Sequence, residues 1–116
     1  YETLRDNTPR EASAEIRERV ERARERMTKR YAGTGIHANG QLTPAMIREY
    51  CVTDEKADTV LAAAFDRLGL SARGYDRILR LAKTIADMDA CDTIGERHVA
   101  QAIQLRSLDR KYWQTV

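Results

Sequence analysis

The stretch LSARGYDRILRLAKTIAD, Leu70–Asp87, decides the reading of this chain. Ser71 stands where a helix cap belongs. Ile78, Leu81, Ala82, Ile85 and Met88 then recur at steps of three and four, the spacing of one buried helix face. Tyr75, one turn before Ile78 and Leu79, is placed to pack on the preceding helix. Arg73 falls in the first turn, where unbonded N–H groups and the helix dipole already make a positive end. A cation is locally unfavourable there, and the arrangement suits an anion, phosphate first. From spacing alone, a surface arginine paired with Asp76 or Asp66 is the simpler account.

Outward from this stretch the same helical spacing continues in both directions. Before it, Thr53 or Asp54 opens a helix to about Leu68, with Val60, Leu61, Ala64, Phe65 and Leu68 as its stripe and Gly69 in the usual place past a helix end. A short helix precedes that one, capped by Thr43 with Pro44 at its first position; Met46, Ile47, Tyr50 and Cys51 form its apolar side. Ala32–Gly40, with Gly33, Gly35 and Gly40, is a loop holding an exposed His37. A long helix over Glu11–Tyr31, with Ser13 as cap, carries Ile16, Val20, Ala23, Met27 and Tyr31 on one stripe. Its other face is dense in charge, with Glu15/Arg19, Glu18/Arg22 and Glu25/Lys29 at i,i+4. That face reads as solvated, although Arg17, Arg19, Arg22, Arg24, Arg26, Lys29 and Arg30 outnumber its acids and make phosphate contact conceivable. After the central stretch, Asp89–Gly95 is a turn containing Cys91. Thr93 and Glu96 form a capping-box pattern opening a last helix, whose inner side is Val99, Ala102, Ile103 and Leu105. His98 in that helix reads as a packing or surface histidine. Leu108–Val116 is a turn and tail, where Tyr112 and Trp113 close over the core or mark a contact in a longer chain.

The expectation is an all-α compact bundle of about five helices. Residues 1–11 form a linker or frayed N-terminus, 12–110 one helical domain, and 111–116 a C-terminal tail. Composition agrees: 116 residues, 42% apolar and 33% charged, with two prolines and a formal net charge of +2. That charge is small for a dedicated nucleic-acid binder. No apolar run is long enough to cross a membrane, and no signal-peptide pattern opens the chain. Cys51 and Cys91 lack a CxxC spacing and read as free, buried thiols of a cytoplasmic protein. The first residue is Tyr1, as in a fragment or processed chain. No HExxH, zinc-spaced His/Cys set, Ser/His/acid set or GxxxxGK[ST] loop occurs, so no catalysis is expected of these residues alone.

Three stretches, SAEIRERVERAR (13–24), LSARGYDRILRLAKTIAD (70–87) and IGERHVAQAIQLRSLDR (94–110), closely resemble in order the C-terminal domain of magnesium-chelatase-like AAA+ ATPases, ComM/YifB subfamily. The resemblance runs from about residue 12 to 110, and SARGYxRILR is its most specific element. It implies the helical lid type of fold, following an ATPase core in the same chain. It also implies a role in sensing ATP and coupling hydrolysis to DNA remodelling or branch migration, in a homo-hexamer acting on DNA. By motif match the family's sensor 2 arginine, which reaches the ATP γ-phosphate, falls on Arg73, with Arg77 one turn on as a further candidate. ATP with Mg is implied for the full-length protein, and none bound to this piece alone. Met27, Asn39–Gly40–Gln41 and Lys83 depart from the pattern. Two other readings stay open: a stand-alone helical DNA- or protein-binding module, and the lid of a magnesium chelatase subunit.

Overall fold

The structure is a computed structural model that describes the backbone of residues 2–115 and the side chains of residues 13–106. Among the described residues it is a bundle of five helices without strands: α1 (Glu2–Arg30), α2 (Pro44–Tyr50), α3 (Glu55–Leu68), α4 (Ala72–Met88) and α5 (Glu96–Thr115), with one 3-10 turn at Asn39–Gln41. No described helix is long and apolar enough to cross a membrane.

The quoted stretch is the centre of the fold. α4 contributes Ile78, Leu79, Ala82, Ile85 and Ala86 to the core, and its most extensive packing is against α5. Around it lie Leu61 and Ala64 of α3, Ile47 of α2, and Val99 and Ala102 of α5. Leu81 and Met88 are only half-buried. The core is built largely from alanines and leucine-type side chains, so helices approach closely and each methyl matters to packing.

Local signals set most helix ends. Thr43 accepts a hydrogen bond from the Met46 N–H with Pro44 in the first turn, and Asp54 accepts from Ala57. Gly69 adopts φ 59°, the left-handed conformation that ends α3, and its N–H donates to the Phe65 carbonyl. Tyr75 packs on α3 as its position suggests, edge-on to Phe65 with ring centroids 6.1 Å apart.

Three ends differ from the sequence reading. α1 starts well before Glu11, so Ser13 lies inside it and does not cap it; residues 2–8 hold no glycine to end the helix, and Pro9 is carried within it. α5 likewise runs on past Leu108 to Thr115, in place of a turn and tail. The side chains of Tyr112 and Trp113 lie outside the described residues. Third, Thr93 and Glu96 do not box the start of α5. Ile94 is drawn into an isolated parallel bridge with Thr53, donating its N–H to the Val52 carbonyl while its own carbonyl accepts from Asp54. Its extended backbone moves the helix start to Glu96. His98 does the capping, its Nδ1 accepting from the Gly95 N–H at 2.9 Å.

The stripe of α1 is also only half used. Ala23, Met27 and Tyr31 pack on the bundle, whereas Ile16 is 56% and Val20 39% exposed. Leu105 is exposed too, and so are Phe65 and Leu68 of the α3 stripe. Cys51 and Cys91 are free; Cys51 is buried, Cys91 half-buried. Burial pushes the Cys51 thiol up to about 11, which keeps it protonated and inert near neutrality.

Candidate functional site

Two groups of arginines stand at the two ends of α4. The first group is engaged by the fold. Arg19, Arg22, Arg26 and Arg30 follow one another at helical spacing along α1, and all four reach the C-terminal end of α4. Arg19 pairs with Asp89 at 2.9 Å, and Arg22 donates to the Met88 carbonyl at 3.3 Å. Arg26 reaches Asp87 at 3.4 Å and also pairs with Asp92. Arg30 holds Asp87 with both Nη atoms, at 2.9 and 2.5 Å. Cations at a helix C-terminus meet the negative end of its dipole, so helix and carboxylates attract them together.

Asp87 is the fixed point of this cluster. Its side chain is fully buried and also accepts from Asn39 Nδ2 at 2.9 Å. Asn39 in turn accepts from the Tyr31 hydroxyl and donates to Thr84 at 3.2 Å. Burial by itself raises a carboxyl pKa; the hydrogen bonds from Arg30 and Asn39 and the charges of Arg30 and Lys83 overcome it, and Asp87 is held below the ordinary range. The Asp87 bond holds Arg30 above its ordinary value. Lys83 is buried beside them and donates to the Asp92 carbonyl at 2.8 Å; burial, then the Arg30 charge, lowers its pKa. Asp89, two residues on, gathers Arg19, Arg97 and His98. Because His98 Nδ1 accepts from Gly95, its Nε2 carries the proton and donates to Asp89 at 3.0 Å. His98 is thus a buried strut between α4 and α5.

The second group stands at the other end of α4. Ser71 Oγ accepts from the Gly74 N–H at 3.1 Å and closes the helix start. Arg73 leaves that first turn into solvent, with Arg77 exposed one turn further along the same face. Neither has an ion-pair partner among the described residues, so the pairing of Arg73 with Asp76 or Asp66 is not formed. Arg80, next in the series, is half-buried and donates to the Leu42 carbonyl at 3.3 Å, a structural use.

One neighbour of Arg73 was not picked out from the sequence. Gly74 is buried under the Arg106 guanidinium of α5; a Cβ at position 74 would lie 2.9 Å from Arg106 Nη2 and 3.2 Å from its Cζ. A glycine inside a helix costs about 1 kcal/mol relative to alanine, and here it makes room for that guanidinium. The glycine in the first turn was the available signal.

Among the described residues no group of three or more His, Cys, Asp or Glu side chains is arranged to hold a metal ion. The capped start of α4 presents permanent positive charge, an arrangement suited to binding an anion.

Comparison with known proteins identifies relatives of this chain. No solved structure matches the chain. It is 37% identical over 102 residues to the protein YifB of Escherichia coli (strain K12), covering 88% of this chain and 19% of that protein. To the competence protein ComM of Haemophilus influenzae it is 37% identical over 100 residues, 86% of this chain and 19% of ComM. It is 33% identical over 96 residues to the protein Rv2897c of Mycobacterium tuberculosis, again 19% of that protein's length. The chain thus spans about a fifth of the length of the curated relatives it matches. The family model described as magnesium chelatase, subunit ChlI C-terminal, matches residues 10–106, and the chain belongs to that family of C-terminal domains of magnesium-chelatase-like AAA+ proteins.

Proposed function

We propose that this chain is the C-terminal lid of a ComM-like AAA+ ATPase, and that Arg73 is its sensor 2 arginine, directed at the γ-phosphate of ATP bound by an ATPase core. One observation carries the reading. While Arg19, Arg22, Arg26 and Arg30 of α1 are engaged by carboxylates and a carbonyl at one end of α4, Arg73 is exposed and without an ion-pair partner among the described residues at the other end, where the helix dipole disfavours a cation. A guanidinium keeps its charge at any physiological pH and its fork matches phosphate oxygens, so Arg73 suits contact with an anion supplied from outside this domain. Arg77, on the same face, adds positive potential.

ATP with Mg supplies the phosphoryl group for hydrolysis. The residues of this domain would bind and orient: Arg73 stabilises charge on the terminal phosphate, and Ser71 and Gly74 fix the turn that carries it. Movement of the lid with nucleotide state then passes to neighbouring subunits of a cytoplasmic hexamer and to DNA, for remodelling or branch migration.

In the full-length protein, Arg73→Ala is expected to leave ATP binding within a few-fold of wild type and to lower hydrolysis by about 10²-fold, the usual scale for losing one donor to developing charge. Unchanged turnover and unchanged DNA remodelling would sink the assignment. A stand-alone DNA-binding module is less well supported, because four arginines of α1 are already engaged. Binding of duplex DNA by this domain, measured across salt concentrations, separates the two: tight binding that weakens steeply with salt favours the module. Turnover coupled to metal insertion rather than to DNA would identify the lid of a magnesium chelatase subunit.

A further inference from the structure

We infer that Arg106 is a positioning residue for Arg73, acting through the notch that Gly74 leaves in the first turn of α4. The inference rests on the sensor 2 reading of Arg73. It assigns a role to a residue on a different helix.

Position 74 joins two functions in one backbone unit. Its N–H is the donor that Ser71 Oγ accepts, and its open face seats the Arg106 guanidinium. Arg73 is the residue immediately before it. A flat guanidinium lying against a bare Cα fixes the distance between the first turn of α4 and the middle of α5 more tightly than a flexible chain end in solvent could. The contact needs both partners, since a methyl at 74 would sit 2.9 Å from Arg106 Nη2. Arg106 Nε is buried with no hydrogen-bond partner among the described residues. The guanidinium brings a second positive charge to the positive end of α4, where the helix dipole disfavours it. Both facts fit a side chain retained for where it holds the turn.

This arrangement makes Arg106 the route by which α5 sets the orientation of Arg73. Misplacement of a charge-stabilising group by about 1 Å can cost about 10²-fold in rate, so a small shift of the turn is enough to matter. The effect is expected on turnover rather than on nucleotide affinity, because the sequence of this domain holds no GxxxxGK[ST] phosphate loop.

The test uses the full-length ATPase with four variants: Arg73→Ala, Arg106→Ala, Gly74→Ala and the Gly74→Ala/Arg106→Ala double. Gly74→Ala displaces the terminal atoms of the Arg106 side chain rather than backbone, so the domain is expected to fold, and thermal unfolding checks this. Arg106→Ala and Gly74→Ala are each expected to lower kcat about tenfold with KM for ATP within twofold, a fraction of the loss that misplacing a catalytic group can cause. The double variant is expected to be no worse than either single one, because both break one contact. Independently of activity, hydrogen exchange of the amides in residues 72–76 without nucleotide is expected to quicken in Arg106→Ala as the capped turn frays. Arg106→Lys, with the charge but not the flat fork, is expected to behave as Arg106→Ala.

Loss of activity in Arg73→Ala alone, with Arg106→Ala unchanged in kcat and exchange, overturns this inference and leaves the sensor reading standing. Fully additive losses in the double variant, or full activity of Arg106→Lys, overturn it as well. No effect of Arg73→Ala itself brings down the sensor reading, and this inference with it.

Discussion

The two ends of α4 carry charge for opposite reasons. At the C-terminal end, Asp87 and Asp89 are held by Arg19, Arg26, Arg30, Arg97 and His98, with Asp87 fully buried. There the arginines of α1 and α5 are drawn both by the carboxylates and by the negative end of the helix dipole, and their charge offsets the unfavourable place of the carboxylates at that end. At the N-terminal end, Arg73 and Arg77 are exposed and the Arg106 guanidinium lies over Gly74, all against the direction of the dipole. One end is satisfied by the fold; the other leaves its charge for something else. Arginine number therefore says little about function in this domain. The arginine-rich α1, which by composition looks like a phosphate-binding surface, is largely a clamp on its own neighbour.

Breaking the satisfied end has the largest expected effect. Arg30→Ala removes two bonds to a fully buried carboxylate and strands its charge, which typically costs about 3–5 kcal/mol; urea unfolding of the domain measures it. Asp87→Asn is expected to cost less, because Asn39 still finds a partner and Arg30, 16% exposed, can turn toward water. A loss from Arg30→Ala no larger than that of an exposed pair would mean that the end is not satisfied in this way.

Acid should weaken the same end next. Asp87 has a folded pKa below its ordinary value of 3.8. Its contribution is fully present above that unfolded value and is lost as pH falls through the folded one, because the unfolded chain binds more protons in between. Denaturation midpoints measured from pH 6 down to pH 2 should fall below about pH 4, and Asp87→Asn should flatten that fall. An equally steep fall in the variant would place the acid sensitivity elsewhere. Arg19→Ala is a smaller perturbation. Arg19 is 42% exposed and Asp89 keeps Arg97 and His98, so a loss of at most about 1 kcal/mol is expected.

How far these two ends could be read from sequence differs in the same way. The start of α4 was legible because its determinants are local: Ser71, Gly69 and the periodicity from Ile78 lie within a few residues of what they control. Thr43, Pro44 and Asp54 were legible for that reason too. The far end was not. Placing Asp87 and Lys83 inside requires knowing that α4 is surrounded, and the groups that satisfy Asp87, the Arg30 guanidinium and the Asn39 amide, come from distant positions in the chain. Charged positions on a helix are assigned to solvent by default, so the clamp was read as a solvated face. The capping box at Thr93 and Glu96 failed through competition: the bridge to Thr53 holds Ile94 extended and hands the cap to Gly95 and His98. Ile16 and Val20 continue the α1 stripe, but the bundle meets that stripe only from Ala23 onward. Arg73 stood out in sequence as a misplaced charge, while its neighbour across the notch, Arg106, depends on a contact between helices that spacing alone does not show.

The smallest expected effect is the sharpest test of the contrast. If Arg73 is maintained for an external anion, the folded domain should not need it. Arg73→Ala removes an exposed side chain with no ion-pair partner among the described residues, so its stability change should lie within about 0.5 kcal/mol. The sign should tilt toward stabilisation. Alanine is the better helix former, and an unfavourable interaction with the positive helix end, worth about 0.3–1 kcal/mol at low ionic strength, is relieved. That gain should shrink as salt is raised, since charges at this distance are screened over about 10 Å at 0.1 M. Unfolding of the wild-type and Arg73→Ala domains, compared at low and moderate salt, reads both the sign and its decay. A destabilisation above about 1 kcal/mol, beyond the range of an exposed substitution, would mean that the fold does use Arg73, and the two ends of α4 would then differ in degree rather than in kind.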